Sequence, residues 1–186
     1  MFGAALYIKV FDRDVDRDMS LAARRQAAER YLRLKYGTGG IPVFSEKNGR
    51  PTFRDYPDSF SVCHSGNIFA VVFSGCNVAL DFEKRPFSNR SFKRIVAGFF
   101  TENEKKQLAA FAEGEEKTEA FFDIWTKKEA AVKFNSTGIS GMRTTDTVGM
   151  RGFRELPKEL TELGVKGYLL FERFSANDIM RMEMLS

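Results

Sequence analysis

The stretch that most constrains this chain is Trp125-Thr126-Lys127-Lys128-Glu129-Ala130-Ala131-Val132-Lys133. Good helix formers run from Lys127 to Lys133, so the segment predicts a helix, and the one-turn separation of Glu129 and Lys133 puts a carboxylate and an ammonium on one face. Ile124, Ala131 and Val132 are then free to pack inward. Alone, such a pair reads as an ordinary solvated ion pair, contributing about 0.2–0.5 kcal/mol.

A second stretch changes that reading. In Val78-Ala79-Leu80-Asp81-Phe82-Glu83 apolar and acidic residues alternate with the period of a strand, so Leu80 and Phe82 face one way and Asp81 and Glu83 the other. Two carboxylates on one strand face repel unless water screens them or a cation lies between them. Glu129 is a candidate third oxygen ligand. A hard, all-oxygen set with few protein ligands suits Mg²⁺, which keeps waters and is often completed by substrate phosphates.

With 186 residues, 43% of them hydrophobic and 19 of them Phe, the chain can fill a sizeable core as one domain or two small lobes. No apolar run approaches the length that spans a bilayer, and Met1 to Val10 lacks the basic start and small-residue cleavage site of a signal peptide, so a cytoplasmic protein that does not engage a membrane is expected. Cys63 and Cys76 are too few for a disulfide framework or zinc cluster and read as plain thiols. The net charge of +4 favours anionic partners without selecting one. Arg24, Arg25, Arg30, Arg33 and Lys35 lie on a predicted helix without interleaved stacking aromatics, which argues against nucleic acid as the partner.

In chain order, Ala4 to Phe11 predicts a first strand, and Ser20 is the expected cap of a helix running to Tyr36 and stopped by Gly37. Asn48-Gly49-Arg50-Pro51 predicts a turn. Phe60 to Cys63, Ile68 to Phe73 and Val78 to Phe82 predict strands. Helices are expected over 89–97, 102–111 and 118–134, the second opened by a capping box of Thr101 with Glu104. Strands close the chain near 147–153, 165–174 and 179–184. Lys84, Arg85, Arg90, Lys93 and Arg94 form a local basic cluster.

The order of these motifs resembles the 4′-phosphopantetheinyl transferase family of the Sfp type: hydrophobic-Asp-x-Glu on a strand, then Trp-x-x-Lys-Glu-Ala-x-x-Lys some forty residues later. The likeness extends to Asn48-Gly49-Arg50-Pro51, to Phe60-Ser61-Val62-Cys63-His64-Ser65-Gly66 and to Gly98-Phe99-Phe100-Thr101-Glu102-Asn103-Glu104. It covers about residues 20 to 186. Cys63 stands where the family usually has serine, Ala79 where it often has glycine, and residues 134–137 lack the family's basic and glycine residues.

The resemblance implies an α+β fold of two similar strand-helix lobes arranged as a pseudo-dimer, residues 1–77 and 78–186, with coenzyme A in the cleft between them. It implies transfer of 4′-phosphopantetheine from coenzyme A to a serine of an acyl or peptidyl carrier protein, with release of 3′,5′-ADP, by a monomeric enzyme. Asp81, Glu83 and Glu129 would then hold Mg²⁺. Glu129 would also take the serine proton, and Lys133 would stabilise phosphate charge. Arg50, His64, Ser65 and Lys128 become expected coenzyme A contacts, His64 at the 3′-phosphate, and the basic cluster becomes an expected dock for an acidic carrier protein. Two alternatives stay open: a non-catalytic relative that binds coenzyme A or a carrier protein, and another metal-dependent phosphoesterase using the same carboxylates.

Overall fold

The computed structural model describes residues 3–37, 41–47, 50–86, 92–173 and 180–186. The first elements in chain order are β1 (Ala4–Val10), α1 (Arg17–Tyr36), β2 (Phe44–Lys47), β3 (Arg50–Phe53), β4 (Ser59–Ser65), β5 (Ile68–Ser74) and β6 (Val78–Lys84). There follow α2 (Phe92–Phe99), α3 (Glu102–Ala109), α4 (Glu115–Asn135), α5 (Gly138–Gly141), β7 (Phe153–Glu155), α6 (Lys158–Thr161), β8 (Val165–Phe171) and β9 (Met180–Met184). The chain is mixed α+β and divides into two compact units, Met1–Leu80 with Phe171–Ser186, and Asp81–Leu170.

The first unit holds a six-stranded sheet of order β2-β3-β4-β5-β1-β9, antiparallel except where β9 runs parallel to β1. Every residue of β5, Ile-Phe-Ala-Val-Val-Phe-Ser, is buried, which explains its unbroken apolar run where a one-sided strand would alternate. Helix α1 turns Ala23, Ala27, Ala28, Tyr31 and Leu32 into the core, the alanines allowing close approach. Phe73 is the centre of that core: the Tyr31 ring stacks on it at 4.7 Å, and the rings of Phe53, Phe60 and Tyr7 lie 5.6, 5.6 and 5.8 Å away.

Ser20 does not cap α1. The cap is Asp16, whose carboxylate accepts from the Met19 amide at 2.9 Å, and the helix starts at Arg17. The reason is not local: Val15 is buried and its amide donates to the carbonyl of Gly66 at 2.9 Å, which anchors the chain just before Asp16. Gly37, at φ 71°, ends the helix as expected, its amide returning to the carbonyl of Arg33.

The second unit contains a three-stranded sheet of order β6-β8-β7 and the helices α2 to α6. Its aromatic cluster gathers Phe100, Leu108, Phe121, Phe122 and Ile124, with Phe92 stacked on Phe121 at 4.0 Å. The capping box at Thr101 and Glu104 forms as the sequence predicts. The strand expected over 147–153 does not form there: Gly149 and Gly152 take φ of 75° and 96°, which strand geometry excludes, and pairing begins only at Phe153, in Phe153–Glu155. The expected connection at Pro157-Lys158-Glu159 opens the short helix α6. No helix among the described residues is long and apolar enough to cross a membrane.

The cap assignment yields a stability test. Asp16→Ala should lower unfolding free energy by about 1 kcal/mol, the usual cost of losing an acidic or hydroxyl cap, whereas Ser20→Ala, inside the helix, should change it by less than about 0.5 kcal/mol. Urea melts of the two variants measure both.

Candidate functional site

The acidic strand and the charged helix face come together within the second unit. β6 carries Asp81 and Glu83 on alternate positions, as the period-two pattern requires. α4 buries Ile124, Ala131 and Val132, the residues expected to face inward, and this sets the rotation of the helix about its axis. The Lys133 ammonium donates to Asp81 Oδ1 at 2.6 Å. Asp81 is only 1% exposed, while the Lys133 side chain keeps 35% of its surface. The pair is therefore a buried anion met by a cation that still reaches solvent.

Glu129 belongs to the same group. Burial first, and then the Asp81 charge, push its carboxyl up to about 9; Lys133 opposes this, while a hydrogen bond with Asp81 and the charge of Glu83 push further upward. Near neutral pH Glu129 accordingly keeps its proton and shares it with the Asp81 carboxylate. Three carboxyl groups thus sense one another's charge in a place where water screens poorly. Among the described residues no three His, Cys, Asp or Glu side chains form a ready-made metal cluster. The donor chemistry nevertheless suits a hard cation: oxygen ligands only, an excess of negative charge, and one carboxyl that holds a proton which a divalent ion could replace.

Close strand approach also shapes this site. A Cβ at Gly167, on β8, would lie 2.1 Å from the carbonyl oxygen of Asp81 and 2.5 Å from the Cα of Phe82, so only glycine lets β8 lie this near the acidic strand.

Lys128 requires a correction. It was expected to reach a bound phosphate, but its side chain is 0% exposed and its ammonium is spent inside the unit. It lies 2.9 Å from Glu104 Oε2, donates to the carbonyl oxygen of Met142 at 2.8 Å and donates also to that of Thr145. Glu104 is equally buried and, besides its capping role, accepts from the amide and hydroxyl of Thr147 at 3.1 and 2.8 Å. The sequence signalled the cap, through Thr101 three residues before Glu104; the partnership with Lys128, 24 positions on, had no local signal.

Arg50, His64 and Ser65 are residues of the first unit. His64 is exposed near the end of β4, paired across the ladder with Phe69, and Ser65 is half-buried opposite Ile68. Cys63 is buried and is not part of a disulfide bond. Arg50 opens β3, paired with Lys47; its side chain lies outside the described residues, as do Asn48 and Gly49 of the expected turn. Of the basic cluster, Arg90 lies outside the described residues and Arg85 pairs with Glu119. Lys93 and Arg94 are exposed on α2 at the rim of a cavity of about 990 Å³, whose apolar wall includes Phe92, Val96, Leu108 and Phe121.

The raised carboxyl of Glu129 predicts a pH dependence. The folded protein retains a proton that the unfolded chain loses at its ordinary value of 4.5, so stability should fall as pH rises from there to about 9 and then level off. Thermal melts in a chelator should show that decline, and Glu129→Gln should remove Glu129's share of it. Added Mg²⁺ should stabilise more strongly at the upper end of the range, where the proton competes with it less.

A family model described as the 4′-phosphopantetheinyl transferase superfamily matches residues 77–175. The 4′-phosphopantetheinyl transferase Sfp of Bacillus subtilis is 32% identical over 102 residues, 54% of this chain and 43% of that protein. The 4′-phosphopantetheinyl transferase ffp of the same species is 28% identical over 134 residues, 69% of this chain and 58% of that protein. The corresponding psf-1 protein of Bacillus pumilus is 32% identical over 99 residues, 52% of this chain and 40% of its own length. The chain thus spans about half the length of the curated relatives it matches.

Proposed function

The chain belongs to the 4′-phosphopantetheinyl transferase superfamily, and we propose that it transfers the 4′-phosphopantetheine group of coenzyme A to a serine hydroxyl of an acyl or peptidyl carrier protein, releasing 3′,5′-ADP. The observation that carries this reading is buried Asp81 grouped with half-buried Glu129 and Lys133, with Glu83 beside them: acceptors for a cation, a proton acceptor and an ammonium within one unit.

In the proposed reaction the serine oxygen forms a bond to the phosphorus that bears the pantetheine, the bond from that phosphorus to the nucleotide oxygen breaks, and the serine proton leaves to a base. Glu129, which would be ionised once a bound cation takes the place of its proton, is that base. Lys133 supplies a positive charge whose stem is anchored on α4 and whose tip reaches solvent, so it can move from Asp81 toward developing phosphate charge. Asp81 keeps that ammonium in place beforehand. Mg²⁺, for which Asp81, Glu83 and Glu129 are the proposed ligands, would neutralise charge on the pyrophosphate oxygens.

On the first unit, His64 is proposed as a contact for the 3′-phosphate of coenzyme A, with Ser65 beside it and Arg50 as a further phosphate contact; an exposed imidazole can donate to such an anion. The exposed cations Lys93 and Arg94 suit an acidic carrier protein. The reading keeps the monomeric state and cytoplasmic location expected from the sequence, with neither nucleic acid nor membrane as partner.

The test is mass spectrometry of apo-carrier proteins incubated with coenzyme A and Mg²⁺, where one added phosphopantetheine on a serine is expected. Glu129→Gln should lower single-turnover transfer by ~10²–10⁴-fold, the usual cost of a positioned base. Lys133→Met keeps most of the stem and should abolish most turnover while Mg²⁺ binding persists. Coenzyme A binding with no transfer to any carrier would identify a non-catalytic relative, and phosphate release from small esters would mark a phosphoesterase. His64→Ala should weaken binding of coenzyme A more than binding of 3′-dephospho-coenzyme A by calorimetry; equal losses would make His64 structural.

A further inference from the structure

We infer that Glu104 and Lys128 are positioning residues for this site: their buried ion pair fixes the setting of α4 so that the neighbouring Glu129 is held toward Asp81. The inference rests on the transferase reading above for its catalytic content.

The geometry is a closed account of donors and acceptors. An ammonium has three donors, and Lys128 directs its ammonium at Glu104 and at the carbonyls of Met142 and Thr145. Glu104 Oε2 also accepts from the Thr101 amide at 2.8 Å, and its Oε1 accepts from the Thr147 amide and hydroxyl. The network therefore ties the first turn of α3, the middle of α4 and the segment 142–147 at one point. Glu129 is the next residue along α4, about 100° around the helix, so a helix that rotates at Lys128 carries Glu129 with it.

Stability does not explain such a pair well. Taking two charges out of water costs about as much as their attraction returns, and apolar residues of similar volume commonly serve as well or better. An apolar contact, however, tolerates sliding, whereas this network is satisfied in one arrangement only. A reaction that needs a proton acceptor in a set place gains from that, because displacements of about 1 Å can cost on the order of 10²-fold in rate.

The experiment separates packing from positioning. Glu104→Gln and Lys128→Met, made singly, should each melt well below the wild type, since each leaves a buried charge without its counter-charge. Combined, they remove both charges with little change in volume, and the melting temperature should return part of the way, the carbonyls of Met142 and Thr145 still lacking their donor. In that double variant kcat should stay about 10- to 100-fold low with KM for coenzyme A little changed, and the Thr147 amide should exchange its hydrogen faster. A folded double variant with wild-type kcat overturns the inference. Should the double variant fail to fold, Thr147→Val removes only the hydroxyl bond to Glu104; a lowered kcat at unchanged melting temperature supports positioning, and a wild-type kcat overturns it. Failure of the wild type to modify any carrier overturns the function reading instead. Positioning is then read by calorimetry with Mg²⁺ alone, where weaker binding to the folded double variant, or to Thr147→Val in its place, supports the inference and equal affinity overturns it.

Discussion

A carboxylate almost wholly removed from water, Asp81, sets the terms for the groups around it. A buried anion must be answered, and Lys133 answers it with an ammonium anchored one helical turn beyond Glu129. With Asp81 and Glu83 both raising it against the pull of Lys133, Glu129 meets the surrounding negative charge by holding on to its proton. The site therefore stores an imbalance: it contains more acceptors than positive charge, and this makes it receptive to a further cation or to phosphate brought together with one.

The readable parts of the fold were those set by neighbours in sequence. The alternation in Val78 to Glu83 and the spacing of Glu129 and Lys133 fixed which faces the charges take, since strand and helix periods depend on backbone geometry alone. The capping box at Thr101 and Glu104 was legible for the same reason, as was Gly37 as a helix stop. The start of α1 was not. Asp16 and Ser20 are both good caps by chemistry, and what chose between them was Val15 docking beneath its own element's entry and bonding to Gly66, 51 residues away.

Lys128 shows the same boundary at the site itself. A lysine next to a metal-ligand candidate, on a helix with other lysines, reads as a ligand for phosphate. Its burial depends on Glu104 and on two carbonyls beyond the end of α4, none of which can be paired with it from spacing. Chemically similar lysines five positions apart on one helix thus end in opposite environments, one sealed by hydrogen bonds and one open to solvent.

Gly167 adds a different kind of control, exerted by missing volume. It has no group that could bind, donate or titrate, yet the backbone of Asp81 and Phe82 occupies the space its side chain would need. The location of this buried carboxylate is therefore governed from a position 86 residues further along the chain that no search for reactive side chains would select. Adding a single methyl group there would act on the acidic strand as a wedge, and its effect would be felt as altered chemistry at residues it does not resemble.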